Sequence, residues 1–290
     1  MKYKLIHKTQ YRYFEKVNNY HSLVCLQPQT MVGQICKSFS LEISPKPADI
    51  TQRKDFFGNI IHYFSIHIPH QELQVLATSE IESFPKKNPF YRDSISVEQA
   101  REIIWNTRAL KIELLQYILP SPFINWDDEI TLFAKSCFPE NRPLYEGVAN
   151  LCHKIFSEFK FVSNYTSIYT PIKTVLRERK GVCQDFSHLA IACLRSLGLP
   201  ARYVSGYIET LPPPGKAKLQ GTDASHAWIS VYIPQLGWCE FDPTNDMVPQ
   251  ERHIITAYGR DYSDVAPLKG VIFSSGRHTL SVSVDVLPVA

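Results

Sequence analysis

The period of the hydrophobic pattern changes twice along this chain, and that restricts it to a mixed fold. Near the N-terminus apolar side chains alternate: Tyr3, Leu5, Tyr11 and Tyr13 share one parity, against Lys2, Lys4, Lys8, Gln10 and Arg12 on the other. Further on, Ile60, Phe64, Ile66 and Ile68 alternate with Tyr63, Ser65 and His67, after a turn at Phe57-Gly58-Asn59. Gly33, Pro45 and Pro47 supply other breaks. Period two with turn signals predicts an antiparallel β domain over residues 1–90. The segment Ser83 to Ser94, with Pro85 and Pro89, reads as the linker that closes it.

Helical spacing then takes over. Ser96 and Gln99 form a capping-box pair ahead of Ala100 to Leu110. After Pro143, the residues Leu144, Val148, Leu151, Cys152, Ile155, Phe156 and Phe159 make one apolar stripe. Thr170-Pro171 reads as N-cap plus N1 proline, Gly181 as a glycine stop after a basic last turn, and a further helix spans Cys183 to Gly198. Strands return at Ala201–Ile208, His226–Ile233, Trp238–Asp242 and Thr279–Leu287. Residues 91–290 are therefore expected to form one α+β domain that includes the C-terminal strands.

Composition narrows the class. The 290 residues are 44% hydrophobic and 20% charged, which excludes general disorder. The 31 basic and 28 acidic residues leave a net charge of +3 without a long basic run, so no nucleic acid or anionic membrane partner is expected. No stretch reaches the ~18 apolar residues of a membrane span. Met1 to Lys8 mixes charged and apolar residues without the apolar run of a secretory signal. The seven cysteines (25, 36, 137, 152, 183, 193, 239) are odd in number and lack a Cys-x-x-Cys pair. Free thiols in a reducing cytoplasm are the simpler expectation than disulfides or a zinc site.

Chemistry concentrates at three residues. Cys183 opens a helix whose apolar positions Phe186, Ala190, Cys193 and Leu197 put it on the core-facing side of the first turn. Unpaired N–H groups and the positive dipole end there favour a thiolate and can hold an oxyanion. A buried packing role is the alternative for any single cysteine. His226 and Trp228 share a strand face. If the strand hairpins into Trp238–Asp242 about Pro234, His226 lies directly opposite Asp242 on that face. Thiol, imidazole and carboxylate then supply a nucleophile, a base and its orienter. His62, His67 and His70 do not converge on one strand face, and Asp127-Asp128-Glu129 reads as an acidic first helical turn. No metal site is expected.

These segments carry a resemblance. Gly181-Val182-Cys183-Gln184-Asp185-Phe186, Ser225-His226-Ala227-Trp228 and Phe241-Asp242-Pro243-Thr244 resemble, in order, the core of the transglutaminase-like superfamily. Leu26-Gln27-Pro28, Asp55-Phe56-Phe57-Gly58-Asn59 and Leu197 to Tyr207 resemble its bacterial branch, which has an extra N-terminal β domain. The resemblance implies a papain-like α+β core, a helix-borne cysteine on an antiparallel sheet. It makes Cys183 the nucleophile, His226 the general base and acid, and Asp242 the orienter. It also suggests Tyr165 and Gln184 near the oxyanion, Trp228 over the histidine, and Tyr207 and Asp261 along the cleft. The expected substrate is a peptide or protein amide, without a cofactor. Hydrolysis comes first, because bacterial members are regarded as candidate cysteine proteases. Glutamine transamidation and a non-catalytic binding scaffold are the alternatives. The loop Leu211 to Thr222 is expected to border the cleft and leave it open to water.

Overall fold

The computed structural model describes residues 1–86, 95–210, 223–272 and 276–289. It opens with β1 (Lys2–Val17), β2 (Tyr20–Val24), β3 (Gln34–Ser44), β4 (Asp49–Lys54), β5 (Ile60–Ile66) and β6 (His70–Ser83). The middle contains α1 (Val97–Asn106), α2 (Arg108–Leu114), α3 (Asp128–Lys135), α4 (Leu144–Glu158), β7 (Lys160–Phe161), α5 (Ile172–Glu178), β8 (Lys180–Gly181) and α6 (Cys183–Ser196). Then come β9 (Ala201–Ile208), β10 (Ser225–Ile233), β11 (Gly237–Phe241), β12 (His253–Gly259), α7 (Tyr262–Val265), β13 (Leu268–Ile272) and β14 (His278–Val289). The class is α+β, with antiparallel sheets and a β domain in front.

Two four-stranded sheets, ordered β14-β1-β6-β3 and β13-β2-β5-β4, make the N-terminal layers. Tyr13, Val17, Leu73 and Val75 from one meet Tyr20, Val24, Phe64 and Ile66 from the other in a common core. At ~1.5–3 kcal/mol per large apolar side chain withdrawn from water, that contact holds the layers together. The pairing corrects one expectation. The C-terminal strands do not join the sheet that carries His226: β14 pairs along β1 from Lys2↔Val289 to Tyr13↔His278, and β13 pairs with β2. Their alternating Val284 and Val286 find the buried face beside Tyr3, Leu5 and Ile81.

The second unit is a sheet ordered β11-β10-β9-β12, with α6 across one face. Phe186, Leu189, Ala190 and Cys193 of α6 belong to one cluster with Ala201, Tyr203, Ala227, Ile229 and Val231. The helix stops where Gly198 takes φ +76°, and the Gly198 and Leu199 N–H groups return to Arg195 and Leu194 carbonyls at 2.8 and 3.0 Å.

Some helix boundaries differ from the sequence expectation. The Ser96–Gln99 capping box forms. In α4 the stripe is buried except Phe156, which is 48% exposed beyond its edge. Pro171 is itself the N-cap of α5, and Arg179, in the left-handed region at φ 54°, is its C-cap. Gly181 is thereby released to pair in parallel with Phe161.

The free edge of β12 is covered by side-chain amides from the N-terminal unit. Gln34 donates to and accepts from the Ile255 backbone at 2.8 Å each, and Asn59 does the same with Tyr258 at 2.7 and 2.9 Å. Asp55 holds Asn59 in place by accepting its backbone and side-chain N–H groups. This accounts for the Asp55 to Asn59 motif: it satisfies a sheet edge.

Candidate active site

Cys183 is the first residue of α6 and is half-buried. The local sequence fixes that start. Asp185 accepts the Val182 N–H at 2.8 Å and the Thr166 hydroxyl at 2.6 Å, tying the helix to the preceding segment. A Cβ on Gly181 would come within 2.8 Å of the Asp185 carboxylate, so glycine is needed where the cap folds back. Gln184 is half-buried beside the thiol.

His226 is the second residue of β10, opposite Gly206 of β9. Its Nε2 lies 2.7 Å from Asp242 Oδ2, and the Cys183 side chain is near enough to act on the ring's protonation. The route by which Asp242 arrives differs from the simple hairpin. The pairs Ile229↔Phe241, Val231↔Cys239 and Ile233↔Gly237 centre the turn on Gln235, not Pro234. Gln235 and Gly237 take φ 74° and 79°, and this left-handed pair sets the turn. The slip moves each partner by two positions, so face parity survives. Asp242, just beyond the end of β11, becomes a diagonal neighbour of His226, and both side chains reach across the offset.

The carboxylate is fully buried and crowded with donors. Thr244 and Asn245 backbone N–H groups reach Oδ1 at 2.9 and 3.3 Å, while Asn245 Nδ2 and His253 Nε2 reach Oδ2 at 2.7 and 3.1 Å. Burial alone would raise the Asp242 pKa; the bonds from His226, His253 and Asn245 reverse this and hold it well below the usual carboxylate range. Burial likewise disfavours a charged His226, but Asp242 and Cys183 outweigh it, and the pKa is pushed up to about 10. His226, Asp242 and His253 bring ligand-type atoms within 4.8 Å of one another, and their mutual hydrogen bonds already use those atoms.

Trp228 is fully buried with its ring stacked on His226. Its indole N–H donates to Glu240 at 3.1 Å, and Glu240 pairs with Lys86 at 2.9 Å. The indole crosses Gly206, where a Cβ would sit 2.7 Å from Trp228 Cη2 and 2.0 Å from the Ile254 carbonyl oxygen.

Three expected cleft residues are bonded to partners outside the triad. Tyr165 is 44% exposed, and its hydroxyl donates to Glu178, the last residue of α5, at 2.6 Å. Tyr207 is buried at the junction with β1, with its hydroxyl 2.7 Å from His7 Nδ1. Asp261 N-caps the short α7 and accepts from Phe123 N–H, Ser263 N–H and Ser263 Oγ at 2.8, 2.8 and 2.6 Å, which consumes its carboxylate in holding two loops together. The loop Leu211 to Thr222 and residues 87–94 of the linker lie outside the described residues.

Sequence reasoning missed Asn245, His253, Glu240 and Gly206. A glycine inside the apolar strand Ala201–Ile208 was the available signal for a close approach. The Asp-Pro-Thr-Asn run after β11 was the signal for a turn around the carboxylate.

The family model for the bacterial transglutaminase-like N-terminal region matches residues 3–82, and that for the transglutaminase-like superfamily matches residues 133–243. An uncharacterised protein of Mycobacterium tuberculosis is 38% identical over 294 residues, covering 99% of this chain and 93% of that one. A protein-glutamine gamma-glutamyltransferase of Pseudomonas aeruginosa is 36% identical over 73 residues, 25% of this chain and 11% of that enzyme. The solved structure of a candidate cysteine protease from Cytophaga hutchinsonii superposes with a TM-score of 0.76 at 23% identity, covering 100% of this chain and 92% of that one. Among the described residues, no helix is long and apolar enough to cross a membrane.

Proposed function

Because this chain belongs to the transglutaminase-like superfamily, we propose that it is a thiol hydrolase that cleaves peptide or isopeptide amides, with Cys183, His226 and Asp242 as its triad. The observation that carries the reading is the 2.7 Å contact between His226 Nε2 and Asp242 Oδ2, with the Cys183 side chain near enough to the same ring to help raise its pKa. Cys183 sulfur attacks the amide carbonyl, and the backbone N–H groups of the first turn of α6 face the resulting oxyanion. His226, protonated near neutral pH, gives its proton to the departing amine nitrogen as the C–N bond breaks, leaving a thioester on Cys183. Water then adds to the thioester and yields its proton to His226; the C–S bond breaks and the acid leaves. Asp242 stays ionised and holds the ring throughout.

Water is favoured as acceptor over an amine by the placement of the aromatics. A transferase needs walls that shield its thioester. Trp228 is stacked on His226, while the Tyr165 and Tyr207 hydroxyls are taken up by Glu178 and His7. The short match to a gamma-glutamyltransferase supports amine transfer as the second reading. The deciding experiment follows breakdown of the acyl-enzyme by intact mass, with and without a primary amine. Hydrolysis predicts acid as the main product at low amine concentration; predominant amide would replace the proposal by a transferase. Failure of any amide to acylate Cys183 would favour a binding scaffold.

A further inference from the structure

Asp242 is held from two directions. Asn245 comes with the turn that follows β11, but His253 is supplied by a separate element, as the first residue of β12. Its backbone position is built: His253 pairs with Ile208, its N–H donates to Gln250 at 2.9 Å, and neighbouring Arg252 exchanges bonds with Glu209 at 2.7 and 3.1 Å. The side chain is buried, edge-on to Trp228 at 5.2 Å and 6.1 Å from the His226 ring. Its Nε2 is 3.1 Å from Asp242 Oδ2, whereas Nδ1 has no hydrogen-bond partner among the described residues. For packing alone, a buried imidazole with an idle nitrogen is inferior to an apolar ring of the same shape, because a lone pair is desolvated for nothing. The nitrogen in use is the reason for the residue.

We propose that His253 is a positioning residue: in its neutral Nε2–H form it turns Asp242 Oδ2 towards His226 and thereby fixes the His226 ring orientation that presents Nδ1 to Cys183. This rests on the triad reading above. Ionised Asp242 can only accept, so both histidine Nε2 atoms must carry the proton in these bonds. That leaves His226 Nδ1 for the thiol. Burial lowers the His253 pKa against the opposing pull of Asp242, which keeps the donor form neutral. The groups that face this network are Asp242 and Glu240 from β11 and its end, His226 from β10 and Cys183 from α6, with Lys86 paired to Glu240. A neutral His253 adds no second cation beside the His226 imidazolium.

The test uses the full chain carrying His253→Phe or His253→Gln, with folding checked by thermal unfolding. Iodoacetamide alkylation of Cys183 is followed by peptide mapping from about pH 5 to about pH 10, a range that spans thiol and imidazole titration. Loss of a hydrogen bond to a charged group is equivalent to about tenfold, so His253→Phe should slow alkylation about tenfold at neutral pH and move the acidic limb to higher pH. His253→Gln, which keeps an N–H donor, should recover most of the rate. A His253→Phe profile superimposable on wild type overturns the proposal, as does a His253→Gln variant no better than His253→Phe. If His253→Phe does not fold, nitrogen NMR of the wild type decides: the neutral Nε2–H tautomer supports the proposal and the Nδ1–H tautomer overturns it. A wild-type Cys183 no more reactive than Cys36 would instead remove the triad reading and this proposal with it.

Discussion

Trp228 lies face-on to His226, with ring centroids 5.7 Å apart and planes 27° from parallel. Glu240 holds one edge of the indole and Gly206 leaves room beneath it. Substitution Gly206→Ala puts a methyl into the Ile254 carbonyl and the indole together, and backbone cannot yield as a flexible side chain can. A loss of about 3 kcal/mol is expected, at the upper end for overpacking, measured by urea unfolding. An unchanged midpoint would mean that the strand relaxes freely there.

Thiol chemistry should separate the cysteines. Cys25, Cys137, Cys152, Cys193 and Cys239 are buried, leaving Cys36 and Cys183 with access to solvent. Burial raises the Cys36 pKa, and its thiol donates to the Ser38 carbonyl at 3.3 Å. Limiting iodoacetamide should therefore label Cys183 first. Cys183→Ala should abolish turnover while changing stability by less than about 1 kcal/mol, since a small side chain is trimmed at a helix start.

The pH dependence has two limbs. The His226 pKa is raised from 6.5 to about 10, so its contribution is complete below 6.5 and is lost as pH rises through about 10. Asp242 is depressed below its ordinary 3.8, so its contribution is present above that value and disappears as pH falls further. Thermal unfolding across pH should show a plateau between these limits and a decline on the alkaline side. In Asp242→Asn the alkaline decline should flatten, because the carboxylate that raises His226 is gone. Identical alkaline slopes in both proteins would assign the decline to other groups.

Asp185 offers a separate test of how the nucleophile's helix is anchored. Asp185→Ala removes acceptors from the Val182 N–H and the Thr166 hydroxyl and should cost about 1–2 kcal/mol, the scale of a lost helix cap. Burial raises the Asp185 pKa in spite of those two bonds, so its charge is held at a cost above that pKa. Asp185→Asn keeps one acceptor without the charge and should lose less. Denaturant midpoints rank the variants; Asn at or below Ala would show that the charge itself matters.

Local pattern exposed much of this site. The start of α6 at Cys183 follows from helical spacing, and the shared face of His226 and Asp242 follows from strand parity, which a two-position slip leaves intact. The turn centre was hidden because it depends on Gln235 adopting positive φ, which is uncommon for that residue. The partners of β13 and β14 were hidden for another reason. Alternation along Leu280 to Val286 says that one face is buried but not against which strand. Tyr165 and Tyr207 show the same limit: a tyrosine near the site in sequence is placed by its hydroxyl's partner, here Glu178 and His7. His253 gave no warning, since one histidine opening an apolar strand looks like many others.

The pairing of β1 with β14 also governs the order in which the molecule can be made. The edge of β1 that β14 covers stays bare during synthesis until the ribosome has produced the sheet β11-β10-β9-β12 and released the segment after it. An uncovered strand invites neighbouring chains to add to it, and alternating Lys2, Lys4, Lys8 and Arg12 along β1 are the residues that discourage such addition. Completion of the β sandwich is thus a late event on the nascent chain.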